Sequence, residues 1–126
     1  MLSTTRLTAI LPVKDLERAK GFYRDTLGLE PTTKLDDGSQ LFSSDGTTAI
    51  ELMVKPDVDT SDHTSLSFEV DDLAEEIQRL EAAGVTFEDY DLPGLKTENH
   101  VATTDHHKAA WFTDTEGNIL CLHQTV

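Results

Sequence analysis

Cysteine is almost missing from this 126-residue chain, which has one, Cys121. A single thiol excludes a disulfide within the chain and suits a reducing compartment, so we expect a cytoplasmic protein. Long apolar runs are missing too, because no stretch approaches the roughly 18 apolar residues of a membrane-spanning helix. The first residues lack a basic segment followed by an apolar one, so we expect no secretory signal. A membrane partner is therefore not expected.

Basic residues are also scarce. Lys and Arg number 10 against 24 Asp and Glu, and the formal net charge is −14. Nucleic acids and anionic membranes are bound by clustered basic residues, so this charge disfavours both as partners. The acidic residues are spread along the chain rather than gathered in a tail. Two interpretations stay open, a well-solvated surface or an adaptation to high salt.

The first half of the chain reads as a βαβββ module. RLTAILPV, Arg6–Val13, alternates as a strand. The KDLERAKGFYRDTLGL segment that follows predicts a helix with Asp15 as its N-cap and Gly28 as its stop. DDGS and SSDG predict the turns between later strands. Three further strands are predicted: Leu29–Lys34, Ser39–Ser43 and Thr47–Val54.

The second half repeats this order. TSLSFEV, Thr64–Val70, predicts a strand, and the next segment predicts a helix that begins at an Asp72–Glu75 capping box and ends at Gly84. VKDL at 13–16 aligns with VDDL at 70–73, an offset of 57. The chain is therefore predicted to be a single domain, 1–126, made of a module at about 5–55 and a second at about 63–126. Three further strands are predicted: VTFEDYD at 85–91, AAWFTD at 109–114 and GNILCLHQ at 117–124.

One segment has no counterpart in the first half. Leu92–Lys108 contains Pro93, Gly94 and three of the five histidines. Loops of this length inside a compact domain are usually functional or mobile. We expect this one either to close over a bound molecule or to form a surface hairpin.

The opening LPVKDLERAKGFYRDTLGL and the closing FTDTEGNILCL resemble motifs of the vicinal oxygen chelate superfamily, which includes glyoxalase I, extradiol dioxygenases and bleomycin-resistance proteins. The similarity covers essentially the whole chain except Leu92–Lys108. It implies an α+β fold whose two βαβββ modules form an open, cup-like mixed β-sheet, with helices on the convex side and the site inside. It also implies a small-molecule ligand. Strand edges exposed at the module ends predict a homodimer.

Relatives that use a metal place its ligands at strand positions that correspond here to Thr8, Glu51, Ser65 and Cys121. Hydroxyl groups are weak ligands for divalent metals, so we expect neither a metal nor another cofactor. Cys121 is then expected to be a small buried side chain. The alternative is that a register slip of two residues turns His63 inward and restores a metal site.

Glu51 keeps a carboxylate among these positions, and a buried carboxylate is costly unless it is hydrogen-bonded. Either the hydroxyls of Thr8 or Ser65 and water satisfy it, or it meets a ligand or acts as a catalytic base. In the AAWFTD strand, either Trp111 or Phe112 is expected to point into the cup. The resemblance implies Thr8, Glu51, Ser65 and Cys121 as positions inside the cup, and strand alternation adds their neighbours. The ligand-binding residues expected on this basis are Thr8, Ile10, Glu51, Met53, Ser65, Ser67, Trp111, Cys121 and His123.

Three functions fit these observations. The favoured one is a metal-free protein that sequesters a small, mostly apolar molecule, as the bleomycin-resistance branch does, because it accounts for the missing metal ligands and for the long loop as a lid. The second is a glyoxalase-, epimerase- or dioxygenase-like enzyme that uses Glu51 as a base or a non-standard metal site. The third is a structural or regulatory module. The fold alone does not choose among them.

Overall fold

The computed structural model of the protein describes residues 1–44, 48–57 and 59–126. The chain divides into two compact units, Met1–Thr60 and Ser61–Val126. Each unit contains a four-stranded mixed sheet and a helical segment that follows the first strand of that sheet. The α+β class and the two-module organisation are therefore confirmed. That the modules form one domain with a common cup stays a prediction.

The helix of the first unit begins as predicted. Helix α1, Leu16–Gly21, follows strand β1, Leu7–Val13, and a short 3-10 turn at Leu2–Thr4 precedes both. The Asp15 side chain accepts a hydrogen bond from the Arg18 amide at 3.1 Å. The aspartate thereby satisfies one of the amides that the start of a helix leaves without an intrahelical partner.

Helix α1 continues into a π-helical turn, Phe22–Thr26. The sequence spacing predicted one uninterrupted helix, so the turn is a departure from that prediction. The turn includes Tyr23, which is fully buried and has its ring centroid 6.1 Å from that of Phe42. Gly28 follows with φ of +77°, and this left-handed backbone ends the helix as predicted.

Strand β1 joins three further strands in the sheet of unit 1: β2 at Glu30–Lys34, β3 at Gln40–Ser44 and β4 at Thr48–Val54. The order is β1-β4-β3-β2, with β1 parallel to β4 and the other pairs antiparallel. One face of this sheet carries the core side chains Leu11, Val13, Phe42, Ile50 and Leu52. The predicted SSDG turn and the predicted strand start at Thr47 fall partly on residues 45–47, outside the described residues.

The sheet of unit 2 has the order β5-β10-β9-β8. Its first strand is parallel to β10, whereas β9 is antiparallel to both of its neighbours. The bounds are Thr64–Glu69 for β5, Ala102–Thr103 for β8, His107–Thr113 for β9 and Ile119–Thr125 for β10. The connectivity thus matches unit 1, where the first strand is parallel to the last.

Helix α2, Leu73–Ala82, covers one face of this second sheet. The Asp72 side chain accepts a hydrogen bond from the Glu75 amide at 3.1 Å, which is the N-terminal half of the predicted capping box. Gly84 follows the helix with φ of +98°, as predicted for its stop. Leu73, Ile77 and Leu80 are buried. Among the described residues, no helix is long and apolar enough to cross a membrane.

The predicted strand at 85–91 is wrong over most of its length. Val85 and Phe87 are buried, so the alternation that suggested a strand is real. The backbone forms no ladder across residues 85–90 of the described chain. It is attached to β9 by the Glu88 amide, which donates to the Trp111 carbonyl at 2.8 Å. Side-chain burial alone therefore gives this stretch the pattern of a strand.

The segment without a counterpart, Leu92–Lys108, includes a hairpin, as one of the two alternatives expected from the sequence had it. Strands β6, Asp91–Leu92, and β7, Leu95–Lys96, form a hairpin. Strand β8 then pairs with β9 and becomes the edge of the sheet. The segment is thus partly built into the sheet of unit 2. Its closing over a ligand stays a prediction.

Candidate functional site

Unit 1 brings its four predicted ligand-binding residues to one sheet face. Cross-strand partners share a face. Thr8 pairs with Ala49, Ile10 with Glu51, and Pro12 with Met53. The intervening residues Leu11, Ile50 and Leu52 belong to the buried core on the opposite face. The predicted set Thr8, Ile10, Glu51 and Met53 is therefore collected on the face away from that core.

Glu51 is half-buried at the centre of this face. Its cross-strand neighbours are Ile10, which is 54% exposed, and Leu41. Within the described part of unit 1, no hydrogen bond or ion pair to a protein group satisfies its carboxylate. A carboxylate between two aliphatic side chains relies on water or on a ligand. The Thr8 hydroxyl does not play the satisfying role considered from the sequence.

Unit 2 places Ser67, Trp111, Cys121 and His123 on one face. Cys121 pairs with Ser67 on β5 and with Trp111 on β9. Phe112, the alternative to Trp111, is fully buried, and its ring centroid lies 5.3 Å from that of Phe87. Neighbouring residues of a strand point to opposite faces, so Trp111 lies on the Cys121 side.

A β-bulge shifts the strand position at which metal-using relatives place their third ligand, expected here at Ser65. Ile119 pairs with Thr64, but the next residue of β10, Leu120, pairs with Leu66, so Ser65 is the extra residue. By register, Thr64 rather than Ser65 takes the place that Thr8 has in unit 1. The shift is of one residue, not the two that would have brought His63 inward. His63 is exposed, and its Nδ1 lies 3.1 Å from the Thr64 carbonyl oxygen.

Trp111 is fixed by two neighbours. Its indole nitrogen donates a hydrogen bond to the Thr64 hydroxyl at 3.1 Å. The Tyr90 ring meets it edge-on, with centroids 5.6 Å apart and an interplanar angle of 82°. Sequence reasoning missed Tyr90 because the strand predicted around it had no assigned face. Its position just before the unmatched segment was the available signal.

Polar groups lie beside these rings. Ser67 Oγ is 2.6 Å from His123 Nδ1, and the His107 ring centroid is 6.3 Å from that of His123. We call the five side chains Ser67, Tyr90, Trp111, Cys121 and His123 the Trp111 face. Each of them contacts or pairs in register with another member. The face therefore combines an aromatic wall with a hydroxyl, a thiol and an imidazole.

The Cys121 thiol is buried at 5% exposure. Burial raises its pKa, although hydrogen bonds from the Ser67 hydroxyl and the Ala110 backbone act in the opposite direction. Burial likewise raises the pKa of the Tyr90 hydroxyl, with smaller contributions from Glu88 and Cys121. Because the thiolate is the nucleophile and the metal ligand, Cys121 is poorly suited to either role at neutral pH.

The described residues do not form a metal centre. No group of three or more His, Cys, Asp or Glu side chains among them is placed to hold an ion. On the Trp111 face, His123 and Cys121 are the two candidate ligands. A metal would have to deprotonate a thiol whose burial opposes this. The donor set therefore does not fit a divalent ion.

Solved structures share this architecture along the whole chain. The antibiotic-binding protein TnmS3 from Streptomyces sp. CB03234 is 25% identical, with 100% of this chain and 99% of that one covered and a TM-score of 0.78. A glyoxalase/bleomycin resistance protein from the same organism is 26% identical, with 96% and 100% covered and a TM-score of 0.70. The fosfomycin resistance protein FosX from Listeria monocytogenes is 17% identical, with 97% and 90% covered and a TM-score of 0.73, and shows the shared fold.

Sequence comparison assigns the family. No curated protein matches the chain. A family model matches residues 5–122, which include every strand of both sheets except the last residues of β10. The strand order of the two units agrees with the two modules that the opening and closing motifs suggested. The chain therefore belongs to the Glyoxalase/Bleomycin resistance protein/Dioxygenase superfamily.

Proposed function

We propose that the protein binds a small, flat, mostly apolar molecule against the Trp111 face and sequesters it without metal and without chemical conversion. The observation that carries this proposal is the fixed, half-buried indole of Trp111. Its N–H group is bonded to Thr64 and one side meets Tyr90, so the ring is held in place before a ligand arrives. A pre-positioned aromatic side chain offers a large contact area at little entropic cost.

Two further observations favour binding over catalysis. The Cys121 thiol is kept protonated by burial, so the face lacks a ready nucleophile. The similarity to TnmS3, described as an antibiotic-binding protein, extends over 100% of this chain at 25% identity. A relative of that kind supports sequestration of a small molecule as the role of this chain.

Tryptophan fluorescence tests the proposal directly, because Trp111 is the only tryptophan in the sequence. We expect planar polycyclic aromatic compounds to quench it saturably and to raise the melting temperature. Trp111→Leu should weaken binding at least about tenfold in calorimetry, the effect of losing roughly 1.4 kcal/mol. His106→Leu, at an exposed position outside the Trp111 face, is the matched control. Unchanged affinity in Trp111→Leu would overturn the placement of the ligand.

Metal independence is tested on the same protein. Material purified without a chelator should contain well under one equivalent of transition metal, and EDTA should leave its melting temperature and ligand affinity unchanged. Stoichiometric metal, or a drop in melting temperature with EDTA, would contradict this part of the proposal.

A second candidate function is supported by Glu51. Its carboxylate has no protein partner within the described part of unit 1 and lies beside the exposed Ile10, so it is free to act as a base on a bound substrate. Glu51→Gln preserves the shape of the side chain. If Glu51 is a catalytic base, this change abolishes a slow conversion of ligand that the parent performs. If Glu51 is only a polar anchor, Glu51→Gln weakens ligand binding by about 1–3 kcal/mol, and neither the parent nor the variant converts the ligand.

The homodimer is also a proposal. Among the described residues, each sheet ends in strands that pair on one side only, β2 in unit 1 and β8 in unit 2 among them. Sedimentation equilibrium tests it, since a chain of 13.9 kDa should then sediment at about twice that mass. A monomer mass at micromolar protein concentration would contradict the homodimer proposal.

A further inference from the structure

We propose that Thr97 is a positioning residue for the Trp111 face: its hydroxyl group fixes Tyr90 against Trp111 and thereby raises the affinity for a flat ligand. The inference rests on the proposed function and adds a residue that acts on the ligand only through another residue. It also gives the segment Leu92–Lys108, which has no counterpart in the first half of the chain, a role in binding.

Thr97 holds the backbone of Tyr90 at both of its polar groups. The Tyr90 amide donates a hydrogen bond to the Thr97 hydroxyl at 2.8 Å. In return, the Thr97 amide donates to the Tyr90 carbonyl at 2.9 Å. Residues 85–90 form no ladder with a strand of the described chain, so these two bonds hold Tyr90 where a ladder would otherwise do so.

The direction of the hydroxyl's bonds follows from the groups themselves. A backbone amide can only donate, so the Thr97 oxygen accepts from Tyr90 and its own proton is left for another acceptor. That acceptor is Asp89, whose Oδ1 lies 3.1 Å from the hydroxyl, with the Tyr90 carbonyl as a longer alternative at 3.4 Å. The same carboxylate oxygen also accepts from the His100 amide at 3.0 Å. The segment is therefore tied to the residue before Tyr90 as well as to Tyr90 itself.

These bonds determine where the Tyr90 ring lies. The Glu88 amide donates to the Trp111 carbonyl at 2.8 Å, so the chain is tied to β9 on one side of Tyr90 and to Thr97 on the other. Between these two ties, the Tyr90 ring meets the indole at an interplanar angle of 82°, with centroids 5.6 Å apart. A flat molecule that packs against the indole in this corner contacts the tyrosine too. Its affinity therefore depends on Tyr90 being held in place before the molecule arrives.

Calorimetric titration with quinoline, a flat aromatic molecule, tests the inference. Thr97→Val keeps the shape of the side chain but removes the hydroxyl, and we expect it to weaken quinoline binding about fivefold. Thr97→Ser keeps the hydroxyl and should bind quinoline within about twofold of the parent. Thr103→Val, at an exposed threonine of β8 in the same segment, is the matched control and should also stay within about twofold.

A double-mutant cycle separates positioning from general stabilisation. At a temperature at which every variant is folded, Thr97→Val should change quinoline affinity by less than about twofold when it is added to Tyr90→Leu. A residue that only stabilised the fold would leave affinity unchanged in both backgrounds. A residue that contacted the ligand directly would reduce affinity by the same factor in both.

The outcomes separate this inference from the binding function. An affinity for quinoline that is unchanged in Thr97→Val, or reduced equally in both backgrounds, overturns the inference and leaves the binding function intact. A loss in Thr97→Ser equal to that in Thr97→Val also overturns it, because the hydroxyl is then not the cause. Failure of quinoline to bind the folded parent at millimolar concentration counts against the binding function and removes the inference with it.

If Thr97→Val does not fold, Thr97→Ala takes its place in the cycle. The smaller side chain lets water reach the Tyr90 amide, so the amide keeps a hydrogen-bond partner while Tyr90 loses its anchor. The same loss of affinity is expected, and the same dependence on Tyr90 decides the matter.

Discussion

The indole nitrogen of Trp111 and the hydroxyl of Thr64 are hydrogen-bonded at 3.1 Å although they belong to strands that are not neighbours. Strand β10 lies between β9 and β5, so the tryptophan side chain crosses it. Strands are spaced about 4.8 Å apart, so the indole, the 3.1 Å hydrogen bond and the Thr64 side chain together bridge two such spacings. The ring thus crosses β10 near Cys121, the residue with which Trp111 pairs in register, and this explains the low exposure of the thiol.

We predict that Thr64→Val lowers the free energy of unfolding by about 0.5–1.5 kcal/mol, because it leaves the Trp111 N–H without its partner. The tryptophan emission maximum should also shift. Urea denaturation followed by fluorescence measures both effects. Thr33→Val, at an exposed position of β2, is the matched control and should stay within about 0.5 kcal/mol of the parent. Equal stability of the two variants would contradict the role given to Thr64.

His100 is expected to hold the segment that follows Tyr90. Its amide donates to Asp89 Oδ1 at 3.0 Å. Its Nδ1 lies 3.0 Å from Asp89 Oδ2 without hydrogen-bond geometry, and its Nε2 lies 3.7 Å from Glu81 Oε2. The ring also lies against Phe87, with centroids 6.2 Å apart. The histidine adopts a left-handed φ of +73° in spite of its side chain, so these contacts must outweigh the backbone strain.

His100→Ala should therefore lower the free energy of unfolding by about 1–2 kcal/mol, since it removes the side-chain contacts and keeps both the amide hydrogen bond to Asp89 and the backbone strain. His100→Asn should be milder, because asparagine tolerates the left-handed region. His106→Ala, at an exposed site, should change stability by less than about 0.5 kcal/mol. Thermal denaturation of the three variants measures their order of stability. A His100→Ala variant as stable as His106→Ala would contradict the stabilising role given to His100.

The Cys121 thiol should be unreactive and should make stability depend on pH. Burial raises its pKa above the ordinary value of 9.0, so the folded protein keeps the proton where the unfolded chain releases it. Its contribution to stability is present below the ordinary pKa and is lost as pH rises through the interval up to the folded pKa. Tyr90, whose pKa burial also raises, acts in the same direction at higher pH.

Two measurements follow for Cys121. Its reaction with a disulfide reagent at pH 8 should be much slower in the native protein than in guanidinium, where the single thiol titrates fully. Cys121→Ala should flatten the decline of melting temperature between pH 8.5 and pH 10 (about the range in which a thiol ionises). Rapid labelling of the native protein would show that the thiol is accessible.

The net charge of −14 should make stability depend on salt. Like charges on a small domain repel one another, and the Debye length falls to about 10 Å at 0.1 M salt. We expect the melting temperature to rise between low salt and 0.2 M in both sodium chloride and tetramethylammonium chloride, since screening needs no specific cation. A rise in the sodium salt alone would instead indicate bound sodium, and a flat curve would show that repulsion is unimportant.

Local chemistry made the helix ends predictable. Asp15 and Asp72 cap the helices, and Gly28 and Gly84 end them in left-handed backbone, because each of these features depends on residues a few positions away. Family membership was likewise carried by contiguous motifs at the two ends of the chain. The π-helical turn at Phe22–Thr26 departs from the 3.6-residue spacing and had no such signal.

The arrangement of the candidate site was less predictable because it depends on pairing between strands. TSLSFEV alternates in the same way with or without a bulge at Ser65, and β10 alone selects the register. In KAAWFTD both adjacent aromatic residues suit a buried position, so only packing against Phe87 decides that Phe112 enters the core. Tyr90 could not be placed, since the segment around it does not pair as a strand.

Because of the bulge at Ser65, no single offset in residue number relates the positions of β1 to those of β5. Beyond the bulge, Ile10 of the pair with Glu51 corresponds to Ser67 of the pair with Cys121, an offset of 57; before it, Thr8 corresponds to Thr64, an offset of 56. A protein engineer who copies side chains between the halves, for instance to install a coordinating histidine, must therefore substitute Thr64. The same substitution one residue later falls on the extra residue of the bulge, which has no partner on β10.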